Sequence, residues 1–111
     1  MAIRFNIHDK EFKLKNKRKI VSWIKEIVSS YGKSTGEISI ILTSDDYILE
    51  LNNQYLNHNY FTDIITFDYS SENKIEGDIF ISIDTVLSNS KTFNTDFKQE
   101  VLRVIIHGIH I

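Results

Sequence analysis

Residues 63–82, DIITFDYSSENKIEGDIFIS, hold two β-rich runs separated by a short polar connection. Asp63 to Tyr69 reads as one strand, Ser70 to Glu76 as a turn and Gly77 to Ser82 as the next strand, because β-branched and aromatic residues crowd both runs while Ser, Glu, Asn and Lys fill the interval. So short a connection joins neighbours in an antiparallel pair, since a parallel crossover needs a dozen or more residues. Gly77 at the head of the second run admits a bulge or a close backbone approach. Upstream, residues 57–62 have no apolar period and contain His58, Asn59 and Tyr60, a loop of the length in which function is often placed. Ile48, Leu49, Leu51 and Leu56 put a helix before that loop, with Ser44 as its cap, and Glu37 to Leu42 form a strand leading into it.

Ile20, Val21, Trp23, Ile24, Ile27 and Val28 recur at helical spacing and predict a helix over about 16–31, with Gly32 and Gly36 as a stop and a turn. Ile3, Phe5 and Ile7 alternate with polar residues as a short half-buried strand. Downstream, Ser82 or Asp84 starts a helix through about Lys91, and Asp96 with Gln99 has the form of a capping box in which Asp replaces Ser or Thr. Phe97, Val101, Leu102, Val104, Ile105, Ile106 and Ile109 then cover most of the helix circumference, which predicts a buried helix. The order β-α-β-α-β-β-α-α describes an α+β fold, one domain over residues 1–111.

The chain has no cysteine, which excludes disulfide scaffolds, cysteine zinc ribbons, iron–sulfur clusters and thiol nucleophiles. Any transition metal must then be held by carboxylates and by His8, His58, His107 or His110. No apolar run long enough to span a bilayer is present and residues 1–6 lack the apolar stretch of a signal peptide, so the expected compartment is the cytoplasm, with no membrane partner. The net charge of −2 conceals an asymmetry: residues 1–33 carry nine Lys/Arg against three Asp/Glu, and residues 34–111 carry four against twelve. The positive density of Lys10, Lys13, Lys15, Lys17, Arg18 and Lys19 suits phosphate contact, or a solvated helix start.

On the last helix Glu100, Arg103, His107 and His110 fall within about 80° of one another, a polar stripe on an otherwise apolar rod. Two histidines on one helix face can present ring nitrogens to a metal, and can equally be core histidines whose N–H groups are satisfied locally. Gly108 after the first histidine lets a ligand or a strand come close. It also stands where zinc peptidases carry their general-base Glu, which weakens a peptidase reading. Asp63, Asp68 and Asp78 at strand ends either orient a metal-bound imidazole or substrate, or accept turn N–H groups. Tyr55, Tyr60, Phe61 and Phe67 offer stacking surfaces, with core packing the better account of Phe67. His8 and His58 read as surface residues.

Leu51-Asn52-Asn53-Gln54-Tyr55, Thr62-Asp63-Ile64-Ile65-Thr66-Phe67-Asp68, Gly77-Asp78-Ile79-Phe80-Ile81-Ser82 and Val104-Ile105-Ile106-His107-Gly108-Ile109, in that order, resemble the bacterial YbeY family. The resemblance implies a four-stranded mixed sheet covered by helices, with the metal-motif helix at the C-terminus. It also implies a metal-dependent, single-strand-specific endoribonuclease of rRNA maturation and ribosome quality control, with one zinc ion, rRNA and the ribosome as partners, no DNA, and a monomer as the default. The family's metal motif, His-Gly-x-Leu-His-Leu-x-Gly-x-Asp-His, matches at His107 and Gly108; the next histidine here is His110, three residues on rather than four, and the third would lie beyond Ile111. The expectation is a domain cut off before its last ligand, with His107 and His110 on the metal, Asp63 and Arg103 beside it or positioning substrate, and Lys15, Lys17, Arg18 and Lys19 on RNA backbone. Where the family commonly has arginine after the tyrosine, this chain has Leu56, and the usual proline before Thr62 is Phe61. These departures carry the alternative, a ribosome-associated RNA-binding module without a working metal centre.

Overall fold

Aliphatic side chains at alternate positions of two long strands set the architecture. The computed structural model describes residues 3–8, 13, 15–55 and 64–109. Its elements are β1 (Ile3–Ile7), α1 (Lys17–Ser30), β2 (Ser34–Thr43), α2 (Asp45–Tyr55), β3 (Ile64–Asp68), β4 (Lys74–Ser82), α3 (Ile83–Thr92) and α4 (Phe97–Ile109). The strands form one mixed sheet in the order β1-β2-β4-β3, parallel across β1–β2 and β2–β4 and antiparallel across β3–β4. The expected hairpin is present, with Ile64 opposite Ile81 and Asp68 opposite Gly77.

Ile38, Ile40 and Leu42 of β2 and Ile79 and Ile81 of β4 point to one face. There they meet Ile20, Ile24 and Val28 of α1, Ile83 and Val86 of α3, and Val101, Val104 and Ile105 of α4, in the main core. The other face is covered by α2 alone among the described elements, where Ile48 and Leu51 pack on Ile65 with Tyr47, Phe67 and Phe80 alongside. The phenyl rings of Phe67 and Phe80 meet edge-on at 5.9 Å, so Phe67 belongs to this second core rather than to a stacking surface.

Two elements run further than their sequence indicates. Both β2 and β4 extend toward their N-terminal ends because Ser34 and Thr35 pair with Lys74 and Ile75, ahead of a register shift before Ile38. Polar residues there look like turn when each strand is considered singly, and they are strand because each supplies the other's partner. Gly36 consequently lies inside β2 instead of forming a turn. The stop of α1 does fall on Gly32, whose φ of 74° is the left-handed conformation that closes such helix ends, with the Lys33 N–H donating to the Val28 carbonyl at 3.3 Å.

The starts of α2 and α3 are tied together at the C-terminal ends of β2 and β4. Ser44 Oγ accepts from the Tyr47 N–H at 3.2 Å, the expected cap of α2, and Ser82 Oγ accepts from the Thr85 N–H at 3.1 Å, the cap of α3. Ser82 Oγ also donates to Asp45 Oδ1, which receives the Thr85 hydroxyl at 3.1 Å as well. The Asp45 N–H in turn donates to Asp84 Oδ2 at 3.0 Å. Because Ser82 is wholly buried, Ser82→Ala removes a cap and a charge-assisted bond together and leaves Asp45 short of a donor. The expected loss is about 2 kcal/mol in urea unfolding; a change below about 0.5 kcal/mol would show the node to be incidental.

Candidate functional site

The helix that carries the polar stripe starts as its sequence indicates: the Gln99 N–H donates to Asp96 Oδ1 at 2.7 Å and the Asp96 N–H to Gln99 Oε1 at 3.3 Å, a reciprocal capping box. Its burial differs from expectation. Val101, Val104, Ile105 and Gly108 are buried and Leu102 and Ile106 half-buried, but Gln99, Arg103 and His107 are exposed. The helix is one-sided because it lies on one sheet face beside α1 and α3, and no described element covers its outer flank. The periodicity overstated burial, since half-covered aliphatic residues count the same as buried ones in a sequence.

The stripe itself divides by depth. Glu100 is only 3% exposed, and its carboxylate accepts from Arg103 Nη2 at 3.0 Å, from Arg103 Nε at 3.2 and 3.3 Å, and from the Thr95 hydroxyl at 3.4 Å. The Arg103 side chain stays 55% exposed, so its outer edge faces solvent while its inner edge neutralises a buried carboxylate. Phe93, Thr95, Glu100 and Arg103 line an open hollow of about 390 Å³. One turn further along, His107 presents its imidazole on the exposed side, which makes it unlike a core histidine. His110, Asp63 and Leu56 lie outside the described residues, as do His58, Tyr60 and Phe61.

Gly108 explains how this end of α4 is held. A Cβ there would stand 2.4 Å from Ile64 Cδ1, and the Gly108 carbonyl accepts from Thr66 Oγ1 at 3.1 Å. Of the two close approaches its sequence allowed, a ligand or a strand, the neighbour is β3. The turn of α4 that bears His107 is therefore seated against β3. Among the described residues no three His, Asp or Glu side chains converge in a way that could hold a metal. Asp68 Oδ1 accepts from the Ser70 N–H at 2.9 Å, so this carboxylate serves the hairpin turn. His8 is exposed with its ring 4.2 Å from that of Tyr47, and Tyr55, 60% exposed, meets Phe67 edge-on.

Lys15, Lys17, Arg18 and Lys19 are all exposed, the last three in the first turn of α1, which contains no acidic residue. Cations at the positive end of a helix dipole cost up to about 1 kcal/mol each, so this clustering opposes helix stability instead of serving it. Sequence reasoning missed what stands beside it: Lys98, from the start of α4, lies 5.4 Å from the ring centre of Trp23 on α1, and Lys19 lies 5.3 Å from the same ring. The Lys19 contact follows from i,i+4 spacing on α1, but the Lys98 contact has no signal in the linear order, since Trp23 and Lys98 meet only when α1 and α4 pack.

Comparison with known proteins follows the same lines. A family model described as endoribonuclease YbeY matches residues 3–111. The chain is 53% identical over 109 residues to the endoribonuclease YbeY of Parabacteroides distasonis, covering 98% of this chain and 77% of that one. It is 49% identical to its Bacteroides fragilis counterpart, covering 98% and 78%. A solution structure of a Thermotoga maritima protein superposes with a TM-score of 0.69 at 31% identity, covering 97% of this chain and 69% of the other.

Proposed function

The chain belongs to the YbeY family of endoribonucleases, and on that premise we propose that it is a metal-dependent endoribonuclease that cuts single-stranded RNA, acting in the cytoplasm on rRNA during its maturation and in ribosome quality control. The observation that carries this reading is the family match over residues 3–111, with His107 presented on the exposed side of α4 at the position of the family's first histidine. No helix among the described residues is long and apolar enough to cross a membrane.

Zinc fits the donor chemistry in part. His107 offers an exposed imidazole, the ligand type zinc favours, and His110 is the second ligand in this proposal. Zinc held there would supply Lewis-acid polarisation of the phosphodiester and would make a nearby water more acidic. The chain's own residues account for binding and orientation. Lys15, Lys17, Arg18 and Lys19 take RNA backbone, with affinity that falls steeply with salt. Arg103, braced by Glu100, brings its positive charge to a phosphate near His107, and Asp63 orients an imidazole or the substrate.

Metal content measured by mass spectrometry, alongside cleavage of an unstructured rRNA fragment, tests the proposal. The expected result is zinc bound to the isolated protein, cleavage lost on dialysis against a chelator, and cleavage restored by zinc. Cleavage that survives complete removal of metal would overturn it. A second reading, an RNA-binding module of the ribosome without a metal centre, is favoured by the spacing of His107 and His110 and by Leu56 after Tyr55; it predicts capture of ribosomal subunits with no nuclease activity in added zinc.

A further inference from the structure

A recess lined by lysines lies away from the exposed flank of α4 that bears His107. It is a cleft of about 310 Å³ between Lys13, Lys15 and Asn16, ahead of α1, and the start of α4, with Lys98 beside it and Leu87 and Phe97 as apolar walls. That volume is at the lower end of the about 300–1,000 Å³ range of small-ligand sites. Asp96 also lines it, but Asp96 Oδ1 accepts the Gln99 N–H, which engages the carboxylate with the helix end. Among the described residues, three lysines thus line a cavity with a single carboxylate, one oxygen of which caps α4. Lys98 also lies 5.4 Å from the centre of the Trp23 ring, which Lys19 approaches at 5.3 Å, so one of the three cleft lysines stands beside an aromatic surface. Lys98 and His107 are nine residues apart in a helix, which places them about 180° apart around α4 and about 13 Å along it.

We propose that this cleft extends the RNA contact of Lys15 into an anchor for a single strand on the far side of α4 from His107, which takes the phosphate backbone on Lys13, Lys15 and Lys98 and an unpaired base against Phe97 and the neighbouring Trp23 ring. The proposal rests on the reading of the chain as a protein that acts on RNA. Apolar walls beside the cations favour a single strand over a duplex, since a duplex keeps its base faces stacked on one another and leaves such walls unused. Placement on the far side of α4 makes the anchor selective for length, because only a strand long enough to pass around the helix reaches both places.

Trp23 is the only tryptophan of the chain, and its contact with Lys98 makes it the reporter for the cleft. Oligouridylate titrated into the protein is expected to change Trp23 emission, and each phosphate neutralised contributes about −0.7 to the slope of log affinity against log salt for a single strand. Lys13→Gln/Lys15→Gln/Lys98→Gln should make that slope shallower by about 2. A control of equal charge on other surfaces, Lys25→Gln/Lys33→Gln/Lys74→Gln, should leave it within about 0.5 of the unmodified protein. Far-UV circular dichroism establishes that both variants are folded. Equal slopes for the cleft and control variants would overturn the anchor, as would RNA binding that leaves Trp23 emission unchanged. Charge-dependent binding without cleavage leaves the anchor standing and removes the nuclease reading; cleavage with no dependence on the cleft lysines does the reverse.

Discussion

Gly77→Ala is expected to lower the unfolding free energy by about 3 kcal/mol, the upper end of the usual cost of forcing atoms into a packed site. A methyl group at Gly77 would lie 2.5 Å from the Phe67 carbonyl oxygen and 3.5 Å from Asp68 Cα. Both are backbone atoms, so no side-chain rotation relieves the contact. The available response is for β3 to move off β4. Among the described residues β3 has no other strand partner, since it stands at the end of the order β1-β2-β4-β3. Such a shift weakens the hairpin register from Asp68–Gly77 to Ile64–Ile81, disturbs Ile65 and Phe67 in the core under α2, and strains the Thr66 bond to the Gly108 carbonyl. Urea unfolding measures the loss, and amide exchange along β3 should accelerate more than along β1. A loss under about 1 kcal/mol would mean that the two strands give way more easily than their spacing indicates.

The same hairpin marks how far the fold could be read from the residues. Its strands were legible because each is a local pattern: alternating β-formers on both sides of a polar turn. The order β1-β2-β4-β3 was not legible, since it depends on which edges pair, and local periodicity carries no information about partners separated by a helix. The N-terminal extensions of β2 and β4 were hidden for the same reason. Ser34 and Lys74 become strand residues only in each other's presence. Caps were readable, because Ser44 and the Asp96–Gln99 pair act on N–H groups within three residues.

The candidate site follows the same division. His107, Arg103 and Glu100 were placed on one stripe by helical geometry alone, and α4 does carry them so. Their unequal depth was out of reach: Glu100 is buried under Thr95 and Arg103, while His107, at nearly the same angle, faces outward. Depth depends on neighbouring elements, here the chain entering α4, whose Thr95 hydroxyl reaches Glu100. Lys98 was invisible as a partner of the basic segment, because more than seventy residues of chain separate it from Lys19. Trp23 bridges the two only after α1 and α4 have packed.

His107→Ala should separate function from folding more cleanly than any other single change. Its side chain is on the exposed flank of α4, away from Val104, Ile105 and the other aliphatic residues that hold the helix to the sheet. Truncation creates no core cavity, and exposed substitutions of this kind shift stability by about 0.5 kcal/mol or less. The effect on the proposed activity is of another order. Even residues that only orient a metal ligand cost about 10–100-fold in metal affinity or activity when removed, so loss of a ligand is expected to reduce RNA cleavage by about 100-fold or more. Zinc content should fall with it, and zinc added in excess should recover little of the rate. Arg103→Lys is the informative companion, because lysine keeps the charge beside Glu100 but loses the planar fork that can brace a carboxylate and reach a phosphate at once. If His107 holds the metal, Arg103→Lys retains zinc and loses rate, while His107→Ala loses both. Cleavage unchanged in His107→Ala would remove α4 from the chemistry altogether and leave the basic surfaces as the protein's principal contact with RNA.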